Sequence, residues 1–492
     1  MTEPLHPRAV RPLLVLAVCC LSLFLVSLDA TVVNVALPSI RRDLGASVAG
    51  LQWVVDAYTV LLASLLTLAG STADRVGRRR TFQVGLALFT TASLLCGLAP
   101  SLGWLIAFRA LQAVGGSMLN PVAMSIITNT FTEPRARARA VGVWGGVVGV
   151  GLGLGPVVGG LLVESVGWRA IFWINVPVGV ATVVLTALFV PESRAARPRR
   201  VDPLGQLLVA LAVGCLTYAV IESPTAGWDS PRVLALLALV VVAVTGLVVH
   251  EPRRAEPLLE PAFFRSVPFS SATLTAVLAF GAFAGLLFLN TVYLQQVRGL
   301  SPLQAGLWLL PMAAVTAVGA PLSGRVVGAR GPRLPLLLAG AGIGVAGVLL
   351  TAVRPDTPAW YVLLCYLVFG AGFGVVNAPI TNAAVSGMPR AQAGVAASIA
   401  STSRQIGATL GVAVLGSALA AGGLSGAGGP SGEVAAQFAG ATAWAWWTVA
   451  GCGLLIAVLG WVATTPRARA GAERIASRFD EAAPPRTEAA AA

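Results

Sequence analysis

The sequence contains no lysine and few charges of any kind. All 33 basic residues are arginine, set against 20 acids, for a formal charge of +13 over 492 residues. Charged residues make up 11% of the chain, where an ordinary soluble domain carries about 25%. That supply cannot cover the surface of a globular chain this long. With 56% apolar residues and a mean hydropathy of +0.82, the excess apolar surface calls for lipid. The missing lysine also removes the P-loop, whose lysine must reach the nucleotide phosphates, so ATP hydrolysis by that route is excluded. Histidine occurs twice, at His6 and His250, outside or at the end of the apolar runs, which leaves no histidine-built metal site in the membrane. Cys19, Cys20, Cys96, Cys215, Cys365 and Cys452 are scattered without metal-ligand spacing and read as small buried hydrophobes. No cofactor, no metal, no ATPase subunit and no enzymatic activity is expected.

What is present is a series of long apolar runs. A bilayer-crossing helix takes about 20 mostly apolar residues. The sequence predicts fourteen such spans: 13–38, 49–69, 81–99, 102–129, 138–163, 170–190, 204–222, 232–250, 269–292, 303–324, 334–353, 359–386, 394–421 and 440–463. The first continues into the polar-bearing stretch Leu28–Asn34, unlike a cleaved signal peptide. Sorting the connecting loops by alternation places 25 arginines on the face that holds the N-terminus and 6 on the other. The positive-inside rule then predicts a plasma-membrane protein with both termini cytoplasmic. Basic charge here marks topology, and no nucleic-acid partner is expected. The glycine-rich stretch Gly422–Gly432 reads as a flexible connector.

The chain also repeats itself at an offset near 256. Gly50-Leu51 returns as Gly306-Leu307, Trp104 as Trp360, and Gly155 with Gly160 as Gly411 with Gly416. A loop match, Leu68 to Arg79 against Leu322 to Arg333, falls at 254. The offset holds eight spans while each matched half uses six. This predicts an all-α polytopic membrane protein of two six-helix lobes plus two inserted helices. The expected divisions are residues 1–190, an inserted segment 191–268, a second lobe 269–463 and a cytoplasmic tail 464–492. Parallel repeats of this kind are a transporter architecture, with the substrate site between the lobes.

Charges inside spans are costly and mark function by default. Asp29, Asp56 and Arg109 all lie in the half of the first lobe away from the arginine-rich loops. Desolvation disfavours a bare carboxylate, so an acid at that depth can take a proton from one side and release it to the other. A structural ion pair or a polar helix seam is the competing reading of the same residues. The loop between spans 2 and 3 runs from Gly70 through Asp74, Arg75, Gly77, Arg78 and Arg79 to Arg80. It can serve as a cytoplasmic gate that latches the lobes, or simply as the positive-inside signal. Its second-lobe counterpart has Gly328 where the first has Asp74, so the latch is one-sided. Span 5 carries Gly155-Pro156 and Gly159-Gly160, which suit a helix that packs closely and bends. Asn34, Trp144, Asn290, Trp308 and Asn377 are further candidates for a substrate cavity, though ordinary packing explains them equally. Glu164 and Glu222, at outer span ends, read as solvated.

At these residues the sequence resembles the major facilitator superfamily, in particular its fourteen-span drug:proton antiporter branch. The matching stretches are Leu28–Pro38, Gly70–Arg80, Arg109–Gly116 and Gly155–Gly160, in that order. The resemblance implies export of a small drug-like or antibiotic compound in exchange for protons, with Asp29 and Arg109 central and Asp56 contributing. Uptake or facilitated transport of another solute on the same fold is the alternative. One departure stands out: the second lobe's spans contain no carboxylate, which argues against divalent cationic substrates and leaves neutral, monocationic and acidic compounds open.

Overall fold

The computed structural model describes residues 12–194, 202–254, 261–385, 393–421 and 431–481. Most of the expected glycine-rich connector, residues 422–430, lies outside them, as do Arg8, Arg11, Arg197, Arg199, Arg200, Arg390 and the end of the tail. The described residues contain helices and no strand, since backbone polar groups in lipid must be paired within the segment.

The first half consists of α1 (Pro12–Leu44), α2 (Val48–Val76), α3 (Arg78–Gly97), α4 (Leu102–Ser117) continued by α5 (Leu119–Thr130), α6 (Pro134–Ser165), and the short α7 (Ala170–Trp173) continued by α8 (Asn175–Phe189). Two helices follow, α9 (Pro203–Ala226) and α10 (Pro231–His250). The second half runs α11 (Val267–Val292), α12 (Pro302–Trp308) with α13 (Leu310–Arg330), α14 (Arg333–Leu350), α15 (Ala359–Gly374) with α16 (Asn377–Val385), α17 (Ala393–Ala421) and α18 (Ser431–Ala463). A polar helix, α19 (Pro466–Glu481), closes the described chain.

Four of the expected spans are each built from two helical pieces, and proline explains the breaks. Pro121, Pro177, Pro311 and Pro379 each fall within four residues after an interruption. Each lacks an N–H and crowds the carbonyl of residue i−4, so the ladder is cut just upstream. Among the described residues, thirteen helical stretches are long and apolar enough to cross a membrane, against the fourteen expected. The span expected at 81–99 forms as α3, but Arg78, Arg79 and Arg80 open that helix and shorten its apolar run.

Bonds between loops identify the two faces. Arg169 reaches Asp43 at 2.7 Å and the Ala99 carbonyl at 3.4 Å, and Tyr293 donates to the Arg354 carbonyl. At the other end, the amides of Arg79 and Arg80 donate to Glu192, and the amide of Arg78 to Ser193. The second of these is the arginine-rich, or basic, face.

Glycines allow the closest helix pairs. A β-carbon at Gly155 would collide with Thr31, and one at Gly159 would lie 2.8 Å from Val32, so α6 lies directly on α1. In the second half, Gly411 and Gly281 bring the α17 and α11 backbones together in the same way. Gly155 and Gly411 are repeat partners, and the packing repeats with the sequence. Helix α9 covers the seam between the halves: Val209 and Val213 pack with Val60 of α2 and Ile406 of α17. Trp53 meets Tyr218 at 5.6 Å. Helix α10 packs on α9 and leaves Val241, Val242 and Val248 outward, as a lipid-facing helix should.

Candidate functional site

Asp29 and Arg109 meet in the interior of the first half. Arg109 Nη1 donates to Asp29 Oδ2 at 2.6 Å, and both side chains are sealed from solvent, with 2% and 0% exposure. The other Asp29 oxygen accepts from Gln112 Nε2 and Asn175 Nδ2, each at 3.0 Å. Ser93 Oγ joins the same two amides at 3.1 and 2.9 Å and itself donates to the Phe172 carbonyl. Arg109 also donates to Gln112 Oε1 and, through Nε, to the Val54 carbonyl, while its guanidinium lies 4.3 Å from the centre of the Tyr58 ring. Four separate spans therefore converge on one carboxylate and one guanidinium. A buried pair is stable only when the remaining donors and lone pairs are satisfied in this way.

Asp56 is fully buried but stands outside this network. Its Oδ1 pairs with Thr59 Oγ1 at 3.4 Å, and its Oδ2 has no hydrogen-bond partner. Thr59 in turn meets Thr409 of α17 at 2.8 Å, so Asp56 stands one residue removed from the seam between the halves.

Around Gly77 on the basic face, Asp74 pairs with Arg78 at 2.9 Å. Arg79 donates to the Ala187 carbonyl, and the Arg79 and Arg80 amides donate to Glu192. Gly77 sits at φ 125, and a β-carbon there would lie 2.6 Å from the Glu192 carboxylate. Glycine is required on both counts. These partners belong to the first half and to the segment that directly follows α8, none to the second half, so the expected inter-lobe latch is not formed by Asp74, Arg78 or Arg79 in this conformation. Gly70 faces Pro121 at ordinary contact distance.

The halves are joined toward the opposite face. A β-carbon at Gly160 would collide with the Pro302 carbonyl, and one at Gly306 with the Pro156 carbonyl, which places the Gly155–Gly160 segment against α12. Glu164 Oε2 accepts from Ser301 Oγ at 2.8 Å and from the Leu303 amide at 3.3 Å, capping α12 from the other half. Gln52 donates to the Val412 and Ala413 carbonyls and Gln295 to the Val35 carbonyl. The expectation that Glu164 is merely solvated is thereby corrected: it is exposed, but it bridges the halves.

Residues 19–412 match the Major Facilitator Superfamily, most of the chain. The chain belongs to that superfamily. It is similar to the multidrug resistance protein Stp of Mycobacterium tuberculosis, 40% identical over 409 residues, covering 83% of this chain and 76% of that one. It is also similar to the tetracenomycin C resistance and export protein of Streptomyces glaucescens, 40% identical over 415 residues, covering 82% and 76%. Among solved structures, a D-xylose-proton symporter aligns with a TM-score of 0.65 at 17% identity, over 91% of this chain and 97% of that one. This superfamily member is thus a multi-pass membrane transporter with the major facilitator fold and not an enzyme.

The five residues offered for a substrate cavity are dispersed in this transporter. Asn34 is buried, with Nδ2 on the Ala30 carbonyl. Asn290 is buried against α15, where Tyr366 donates to it at 3.0 Å. Trp308 lies under the Arg298 guanidinium, 5.0 Å away, near the opposite face. Trp144 is half-buried on α6 and Asn377 exposed at the start of α16. Among the described residues no hydrogen bond or ring contact joins any two of them. A cleft of about 430 Å³ on the basic face, lined by Arg330, Asn382, Arg469 and Glu473 among others, includes none of them.

Sequence reasoning missed Gln112, Asn175, Ser93 and Tyr58. Gln112 had a signal, since it follows Arg109 by three residues and shares its helix face. Uncharged polar residues in spans are otherwise too common to single out.

Proposed function

We propose that this transporter exports drug-like or antibiotic organic compounds across the plasma membrane in exchange for protons, by alternating access. The observation that carries the reading is the Asp29–Arg109 pair, sealed from solvent and held by Gln112 and Asn175. Resistance and export relatives at 40% identity support the substrate class. With the basic face cytoplasmic, both termini lie inside and this conformation is closed to the exterior. Helix α3 is the fourteenth crossing in this reading: its first residues bond Glu192 on one face, and the Ala99 carbonyl just beyond its end takes Arg169 on the other.

Protonation of Asp29 removes the charge that holds Arg109. The guanidinium keeps Gln112 Oε1, the Val54 carbonyl and the Tyr58 ring, so it stays with α2 and α4 while its charged hold on α1 is lost. Helix α1 is fixed to α6 through Gly155, Gly159 and the bond from Thr31 Oγ1 to the Leu152 carbonyl. Helix α6 carries Gly160 and Glu164, which hold α12. A proton at Asp29 therefore acts mechanically on the closed seam. Asp56, next to the seam through Thr59, is the second acid of the cycle.

The test is efflux from pump-deficient cells expressing wild type or Asp29→Asn, with ethidium and a neutral dye, with and without a protonophore. Wild-type export that the protonophore abolishes and Asp29→Asn lacks is the expected result. Equal export by Asp29→Asn at equal expression would remove Asp29 from the coupling.

A further inference from the structure

One strongly basic side chain at membrane depth is not used by the cycle described above. Arg404 lies twelve residues into α17, and its Nη2 donates to Thr381 Oγ1 of α16 at 2.8 Å. Its guanidinium sits 5.9 Å from the centre of the Phe280 ring on α11. Its Nε is closed off from solvent and has no hydrogen-bond partner. Among the described residues no carboxylate lies within 4.0 Å of it. The helices α11 to α17 themselves contain no aspartate or glutamate. Arg404 is half-buried, and a guanidinium offers five donors in a planar fork suited to a carboxylate, so one partly withdrawn from water without a counter-charge is costly. Arg109 meets that requirement with Asp29; Arg404 has no equivalent.

The surroundings describe what could supply it. Phe280 and Phe283 on α11 are half-buried, and both rings meet Phe373 of α15, at 5.2 Å edge-on and 4.3 Å stacked. Phe369 extends the same wall. Thr381, the hydroxyl partner of Arg404, is exposed. A cation, a hydroxyl and an aromatic wall thus meet at the junction of α11, α16 and α17.

We propose that Arg404, with Thr381 and the Phe280–Phe283 face, is a subsite for the oxyanion of an aromatic substrate, a carboxylate or an acidic phenol. The proposal rests on the transporter carrying drug-like compounds, and it narrows that class toward aromatic acids. The guanidinium fork takes the oxyanion while the ring system lies along the phenylalanines. Dications meet an uncompensated positive charge here and are disfavoured.

Equilibrium binding to purified, unenergised protein tests this apart from transport. The probes are 1-pyrenecarboxylate and 1-pyrenecarboxamide, matched in ring system and differing in charge, with binding read by quenching of the intrinsic tryptophan emission. Wild type is expected to bind the carboxylate about tenfold more tightly than the amide, the scale of a hydrogen bond to a charged group. Arg404→Gln should lose that preference while keeping amide affinity. Arg404→Lys, which keeps the charge, should retain part of it and serves if the glutamine variant does not fold. No carboxylate preference in wild type, or a preference unchanged in Arg404→Gln, overturns the subsite. Loss of export of every compound by Arg404→Gln with unchanged binding of both probes also overturns it and assigns Arg404 to the transport cycle. Arg404-dependent binding without protonophore-sensitive export in cells would keep the subsite and reject the antiport reading instead.

Discussion

Asn175 and Gln112 donate to the same Asp29 oxygen, one from α8 and one from α4, each at 3.0 Å. Together they leave the second oxygen to Arg109 alone. The carboxylate is therefore oriented by neutral amides and neutralised by a single cation. A change at Asp29 alters one strong contact without dismantling the site.

That arrangement separates folding from coupling. Asp29→Ala leaves Arg109 buried without a counter-charge, a loss on the order of 3–5 kcal/mol. It should lower the melting temperature in detergent sharply. Asp29→Asn loses the counter-charge as well but keeps an acceptor oxygen for Gln112 and Asn175, so it should melt between the alanine variant and wild type, while failing to export. If Asp29→Ala melts with wild type, the pair does not secure α1 to α4.

Gly160→Ala and Gly306→Ala each place a methyl group against a carbonyl of the facing helix. Overpacking of about 1–3 kcal/mol falls only on the state closed at the opposite face. The balance should move roughly ten-fold or more toward the alternative state. Labelling of Gln295→Cys by an impermeant maleimide, in a background lacking the six native cysteines, reports it. Faster labelling is expected in either variant. An unchanged rate would mean that the seam tolerates the extra carbon.

Glu164→Ala removes the acceptor for Ser301 Oγ and the Leu303 amide. Glu164→Gln keeps an acceptor oxygen but loses its charge. Because Glu164 is exposed, the effect is on the order of 1 kcal/mol, about five-fold between states. The same maleimide assay should rank alanine above glutamine above wild type. Equal rates for all three would show that the bridge is dispensable.

Asp202 gives a pH dependence. It caps α9 through the Gly205 amide and accepts from His250, with Arg254 3.7 Å away. Burial alone would raise its carboxyl, but the Gly205 amide, His250 and Arg254 outweigh burial and hold it below the usual carboxylate range. A depressed folded-state value contributes stability above the unfolded value of about 4 and loses it as pH falls through the folded value. The melting-temperature gap between wild type and Asp202→Asn should be widest near neutral pH and close on acidification. A gap independent of pH would assign Asp202 a purely steric role.

The sequence made the two strongest site residues legible because charge at membrane depth is rare: Asp29 and Arg109 are both buried, and they meet. It could not choose between Asp29 and Asp56 as the partner of Arg109, since depth along a helix does not specify rotation about its axis. Asn175 escaped because an amide in an apolar run carries no distinguishing signal, whereas Gln112 was marked only by its place three residues after Arg109. The glycine repeat made the correspondence of the halves and the close packing of span 5 legible, because close approach of backbones demands glycine in the sequence itself, but it did not name α1 and α11 as the partners. The role of Glu164 was invisible: Ser301 to Gln304 reads as a capping box, but nothing nearby in the chain announces a carboxylate arriving from another helix. Span 3 was legible at 81–99 and forms as α3, although the arginines that mark its face dilute its apolar run.

The seam that closes the opposite face is built from glycine against carbonyl and from amides reaching backbone oxygens. Apolar side chains flank these contacts, since one buried cluster runs from Val33, Leu37 and Leu51 of the first half to Leu289, Val292 and Leu309 of the second. The polar atoms it frees are ones that entering water can serve at once. Such a closure resembles a fastening more than a weld: its polar contacts can be undone and remade many times, while the apolar flank sets what each opening costs.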